Sequence, residues 1–173
     1  MRQFEIRRAR PEDLGEMLRI YAAARDFMAR TGNPSQWGPR AWPPEALLRR
    51  DLAEERSFVC LREGKTVGTF YLRYGTHPEP AYDRIEDGAW GWDAPCGVVH
   101  RIAGDGSVRG IGTACLTWAM EQCGHLRIDT HEDNRVMRNL LEKLGFSRRG
   151  IVYPAGDGTP RIAFDRRTLP RTL

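Results

Sequence analysis

The stretch GSVRGIGTACLTWAMEQ, Gly106 to Gln122, sets three glycines and Arg109 at the head of an apolar run. Glycine costs about 1 kcal/mol against alanine inside a helix, so bare backbone at this place answers a need. "CGVVHRIAG", residues 96–104, reads as a strand leading into the turn, and a helix is predicted from about Ile111 to Cys123. A helix N-terminus offers unpaired N–H groups and roughly half a positive charge, and glycines let an anion approach the main chain. Two nucleotide-binding patterns fail here. A P-loop needs Lys-Ser/Thr after its last glycine, where this chain has Thr113-Ala114. The dinucleotide pattern G-x-G-x-x-G needs a third glycine where Cys115 stands, and the flanking parallel βαβ unit is missing.

Outward from this turn, the N-terminal side opens with a strand at residues 3–8 and a helix over "RPEDLGEMLRIYAAARDFM". Pro11 suits the first helical position, and Glu12 and Asp13 the positive end of the dipole. Leu14, Met17, Leu18, Tyr21 and Met28 recur at helical spacing. "TGNPSQWGPRAWPP" is a loop and "PEALLRRDLAEE" a shorter helix. "SFVCLREGKTVGTFYLRY" predicts two strands around a Glu-Gly-Lys turn. Gly75 to Pro95, rich in Pro, Gly, Asp and aromatics, is a long loop of the kind that carries function.

On the C-terminal side "HLRIDT" is a strand and "EDNRVMRNLLEKLGF" the clearest helix. Its predicted apolar face comprises Val136, Met137, Leu140, Leu141 and Leu144, with Gly145 as the stop. Strands near 147–153 and 160–166 flank "PAGDGTP". Strands alternate with helices only in the second half, so a mixed α/β sheet with helices on both faces is expected. No repeat or linker divides the chain, and one domain over residues 1–173 is expected.

The composition is that of a globular protein, 40% hydrophobic and 29% charged, with net charge +4. Arginine supplies nearly all the base, Lys65 and Lys143 being the only lysines. Basic residues are interleaved with acids rather than blocked. No nucleic-acid partner is therefore expected, and a mild positive field suits a small polyanion. No apolar run approaches the ~20 residues of a membrane span, and the first residues lack a signal peptide's apolar region. A cytoplasmic protein without a membrane partner is expected. Cys60, Cys96, Cys115 and Cys123 form no C-x-x-C pair and read as reduced. Cys123, His125 and His131 match no usual zinc spacing, so no metal is expected.

Ser107-Val108-Arg109-Gly110-Ile111-Gly112 resembles the acetyl-CoA turn of the GNAT superfamily of N-acetyltransferases, Gln/Arg-x-x-Gly-x-Gly/Ala. Ser107 departs from its first position, and Arg109 is the substitute contact. "DNRVMRNLLEKLGF" resembles the family's second signature, Asn-x-x-Ala-x-x-Leu-Tyr-x-x-x-Gly-Phe. Asn134, Leu140, Gly145 and Phe146 match it, with Met137 in place of alanine and Leu141 in place of tyrosine. "HRIAGDGSVRGIG" and "RIDTHEDN" are similar to an uncharacterised bacterial subgroup.

The resemblance implies a mixed, mostly antiparallel sheet of six to seven strands with about four helices, the fourth and fifth strands splayed around acetyl-CoA. It implies an acetyl-CoA-dependent acyltransferase acting on a small-molecule or amino-acid-like primary amine by direct attack. A protein N-terminal or lysine acetyltransferase and a non-catalytic CoA sensor are the alternatives, and a homodimer is admitted. The implied coenzyme contacts are Ile102, Ala103, Ser107, Val108, Arg109, Gly110, Ile111, Gly112, Thr113, Asn134, Met137 and Leu141. Asn134 reads equally as a helix N-cap.

Alternation along the strand puts Cys96, Val98 and His100 on one face, which makes His100 the candidate base or a structural histidine. His131 is a second candidate. With leucine at 141 the general acid is Tyr153, another donor, or none. The acceptor pocket is expected from "NPSQWGPRAW", the 76–95 loop and "YPAGDG", with Trp37, Glu86 and Trp92 as substrate contacts. The tryptophans read equally as packing under long loops.

Overall fold

The computed structural model describes residues 4–38, 41–154 and 158–168. Seven strands, β1 (Glu5–Arg8), β2 (Ser57–Arg62), β3 (Lys65–Gly75), β4 (Cys96–Gly104), β5 (His125–Thr130), β6 (Ser147–Val152) and β7 (Arg161–Arg167), are joined by four helices. These are α1 (Leu14–Arg30), α2 (Glu45–Ala53), α3 (Ile111–Cys123) and α4 (Arg135–Lys143). The strand order is β1-β2-β3-β4-β5-β7-β6. Pairing is mostly antiparallel, with β4 and β5 the parallel pair. The mixed α/β architecture expected from the sequence is the one observed. The chain forms two compact units, Met1–Leu72 with His100–Trp118, and Arg73–Val99 with Ala119–Leu173.

In the first unit β1 pairs with β2 and β2 with β3, and α1 buries one stripe against this meander. The stripe is Leu14, Met17, Ile20, Tyr21 and Ala24, packed with Leu48 of α2, Val59 and Ala103. Ile20 and Ala24 thus replace Met28 of the predicted face, and Leu18 is only partly buried. Pro11–Asp13 forms a 3-10 turn rather than the helix's first turn. The Asp13 carboxylate takes both terminal nitrogens of Arg7 (2.7 and 2.9 Å) and the Arg10 N–H (2.7 Å). Phe58, Phe70 and Trp118 close the core, with ring centroids 5.1–6.0 Å apart.

In the second unit β7 lies between β5 and β6, and the Gly75–Pro95 segment is stitched to these strands. The Tyr82 hydroxyl donates to Asp129 (2.5 Å), and Trp90 Nε1 donates to the Tyr82 carbonyl (2.8 Å). Arg127 stacks on Trp90 (4.5 Å) and donates to the Trp92 carbonyl (2.7 Å). Glu86 exchanges both backbone hydrogen bonds with Ile151. Long as it is, the segment has fixed anchors along its length. On α4 the predicted apolar face is narrower than expected: Leu141 is fully buried, Met137, Leu140 and Leu144 are half-buried, and Val136 is exposed.

His125, buried on β5, bonds the Pro95 carbonyl through Nδ1 (3.2 Å) beneath Trp92. Burial, the largest influence, pushes its pKa below the ordinary value, against the opposing pull of the Pro95 carbonyl. A depressed folded pKa contributes stability that is present above about pH 6.5 and is lost as pH falls through the folded value. The melting temperature should therefore fall between about pH 7 and pH 5, and His125→Gln should flatten that fall. Identical slopes in the two proteins would remove His125 as the cause.

Candidate active site

The glycine turn lies in the first unit, where β4 hands over to α3. Asp105 opens it: its N–H bonds the Val67 carbonyl (2.9 Å). Its carboxylate accepts the Ser107 N–H (2.9 Å) and hydroxyl (2.6 Å), and pairs with Arg19 (3.3 Å). Burial pushes the Asp105 carboxyl up, but the Ser107 bonds and Arg19 together outweigh it and leave the pKa below the ordinary value. Ser107 is thus spent on shaping the turn, and Arg109 stands exposed beside it.

Gly106 and Gly110 take left-handed φ values of +78° and +89°, which glycine adopts without strain. A Cβ at Gly106 would meet nothing, and one at Gly110 only the Phe4 ring at 3.7 Å. The α3 ladder begins with Ala114 N–H to the Gly110 carbonyl (2.9 Å). Helix geometry therefore leaves the amides of Ile111, Gly112 and Thr113 without intrahelical acceptors.

Gly68 on β3 seats this helix end. A Cβ there would lie 2.5 Å from Ile111 Cγ2 and 3.2 Å from the Ala103 carbonyl oxygen. Nothing local to Gly68 in the sequence marks it, because the residue that will lie on it is distant in the chain.

Just upstream, β4 contains a non-glycine residue in the left-handed region, Arg101 at φ +51°. Such a residue costs about 1–3 kcal/mol and persists only when its surroundings over-determine it. Three elements hold Arg101. Asp51 of α2 pairs with its guanidinium at 2.6 Å, the two side chains 3% and 13% exposed. The Tyr71 ring of β3 lies 4.5 Å beneath that guanidinium. The buried Tyr21 hydroxyl of α1 donates to the Arg101 carbonyl at 2.8 Å. The His100 ring lies 5.8 Å from Tyr71. Ile102 is half-buried and Ala103 buried. Trp37 packs edge-on to Tyr21 (5.7 Å), against the core.

In the second unit the Asn134 side chain accepts the Met137 N–H (3.1 Å), capping α4. The His131 Nδ1 accepts the Asp133 N–H (3.1 Å), so the neutral ring carries its proton on Nε2. Tyr153 and Glu86, predicted separately as acid and acceptor contact, are partners: the phenol donates to Glu86 Oε2 at 2.9 Å. That bond lowers the Glu86 pKa, with help from Arg84, and raises that of Tyr153. Trp92 lies against His125 (5.6 Å) and the Arg149 guanidinium (5.2 Å), as packing under the segment. Leu141, expected among the coenzyme contacts, is 0% exposed and lies among the buried core residues. Residues 39–40 and 155–157, within two of the three segments expected around the acceptor, lie outside the described residues. No group of three His, Cys, Asp or Glu among the described residues is placed to hold a metal ion.

A strand ending in a shaped glycine turn, followed by helix-start amides without intrahelical acceptors, has the geometry from which helix N-terminal anion sites are built. The chain belongs to the acetyltransferase (GNAT) family, whose model matches residues 19–146. It is similar to an acetyltransferase of the GNAT family from Streptococcus agalactiae at 28% identity, covering 97% of both chains with a TM-score of 0.86. At 16% identity, one from Listeria monocytogenes shares the fold, covering 95% of both chains with a TM-score of 0.68. The ribosomal-protein-S18-alanine N-acetyltransferase from Escherichia coli also shares the fold, at 19% identity, 98% of both chains and a TM-score of 0.62. No curated protein sequence matches.

Proposed function

We propose that this acetyltransferase moves an acetyl group from acetyl-CoA to the primary amine of a small-molecule or amino-acid-like acceptor. The observation that carries the reading is the glycine turn, with its positive-φ glycines and the open amides of Ile111, Gly112 and Thr113. These groups suit a diphosphate, and Arg109 adds positive charge at the same turn. Bound acetyl-CoA supplies a thioester carbonyl open to attack by a neutral amine. Main-chain groups of Ile102 and Ala103 align the amide-bearing arm and stabilise charge on the carbonyl oxygen. His100 takes the amine proton as the general base. His131, with its proton on Nε2, is arranged to donate rather than accept. The two units act as one domain, and the site of action is the cytoplasm.

A second reading is coenzyme binding without turnover, favoured by the burial of Leu141 where the family carries a tyrosine acid. One experiment separates the two: calorimetry with acetyl-CoA, followed by free-thiol release across a panel of small amines and peptide N-termini. Binding with thiol release on a small amine supports the proposal. Binding without release on any amine supports the sensor, release confined to peptides moves the acceptor class, and no binding overturns both. Where turnover is found, His100→Ala should abolish the acidic limb of the pH–rate profile and lower kcat about 10²-fold. An unchanged profile removes His100 as the base.

A further inference from the structure

We infer that Asp51 and Arg101 are positioning residues, a buried pair that holds a left-handed bend in β4 and so sets where the amides of Ile102 and Ala103 point. The inference rests on the acetyl-transfer reading of the same strand. Arg101 has φ +51° in a segment where extended backbone is the rule. A bend of this kind re-aims everything that follows it.

Its supports come from three separate elements. They are the Asp51 carboxylate at 2.6 Å, the Tyr71 ring at 4.5 Å, and the Tyr21 hydroxyl on the Arg101 carbonyl at 2.8 Å. Two of these hold the side chain and one the main chain, so both ends of the residue are fixed. Neither Asp51 nor Arg101 is placed to do chemistry. Their charges neutralise one another in a largely buried position, where a lone carboxylate or guanidinium would be costly. Burial raises the Asp51 carboxyl, and the Arg101 charge works against that rise. The residues that follow are those whose main chain the transfer reaction uses. A pair that contributed packing alone would not require its arginine to leave the extended region.

Two double variants share the loss of the pair and differ in backbone freedom. Asp51→Asn/Arg101→Gly keeps a residue that adopts φ near +51° without strain, whereas Asp51→Asn/Arg101→Ala does not. Circular dichroism establishes the folded fraction of each at the assay temperature, and rates are expressed per folded molecule. The glycine variant is expected to retain a kcat on the order of 10-fold above the alanine variant, with KM for acetyl-CoA within about 3-fold between them. Equal kcat values would overturn the inference, because loss of packing is common to both. If wild-type protein releases no thiol with any amine, the acetyl-transfer reading fails by itself. The bend is then judged by the amide NMR shifts of Ile102 and Ala103. Shifts near wild type in the glycine variant and displaced in the alanine variant uphold the latch, and equal displacement in both refutes it.

Discussion

Gly110→Asp is expected to weaken acetyl-CoA binding at least ~100-fold while leaving the protein folded. Gly110 immediately precedes α3, and its carbonyl starts the helix ladder. The space for a side chain exists, since a Cβ would meet only the Phe4 ring at 3.7 Å. Two costs follow. The left-handed φ of +89° strains any L residue, although Asn and Asp tolerate that region best. The second cost is electrostatic, because a carboxylate is placed where the turn is to receive an anion. Like charges about 4 Å apart at a protein surface repel by about 4 kcal/mol. Gly110→Asn separates the two costs, having the same shape and backbone preference without the charge. Asn should weaken binding about 3- to 10-fold and Asp at least ~30-fold further. Calorimetry at two salt concentrations checks this, the gap between the variants narrowing at high salt. Equal affinities for Asn and Asp would mean that no phosphate is held at this turn.

The glycine turn was legible because its requirement is local: bare backbone leaves glycines in the sequence whatever surrounds it. The same holds for α3, whose span Ile111–Cys123 follows from apolar spacing, and for Gly145 at the end of α4. What escaped depends on partners distant in the chain. Asp51 and Arg101 lie in different elements, and nothing beside Arg101 marks a left-handed residue, as Gly or Asn would. Gly68 looks like a weak point in a strand until Ile111 is seated on it. Periodicity placed Val136 on the apolar face of α4, but it cannot say how wide the contacted stripe is, and Val136 falls outside it.

The Gly75–Pro95 segment shows a related limit. Its length and its Pro, Gly and Asp content read as a functional loop, and the sequence does not show that its own aromatics and the arginines of β5 and β6 would fasten it. Tyr153 and Glu86 were each singled out for a separate task. Their hydrogen bond ties the residue after β6 to this segment, and with Arg84 on the other carboxylate oxygen it makes Glu86 an acceptor contact only through oxygens that already have partners.

Asp165→Ala should therefore destabilise the protein more than any other single change considered, by about 3–5 kcal/mol. Asp165 is fully buried on β7, with Arg149 Nε on one carboxylate oxygen at 2.6 Å and the Gly91 N–H on the other at 2.8 Å. One carboxylate thus joins two strands and the long segment. Truncation leaves the half-buried Arg149 without its counter-charge, and also removes the acceptor of the Gly91 amide. Arg149 stacks on Trp92, so the change propagates along the segment toward Trp90 and Tyr82. Domains of this size are stable by only about 5–15 kcal/mol, so the midpoint in urea should fall by a large fraction of its wild-type value. Arg149→Met supplies the comparison: it keeps the stem against Trp92 and leaves Asp165 buried and partly unpaired, with loss of similar size expected. Combining Asp165→Asn with Arg149→Met removes both charges at once. The double variant should be more stable than Arg149→Met alone, because the uncompensated buried charge is gone. A strictly additive cycle in urea melts would show that the carboxylate and the guanidinium act independently, and that the long segment is fastened by its aromatic rings rather than by this ion pair.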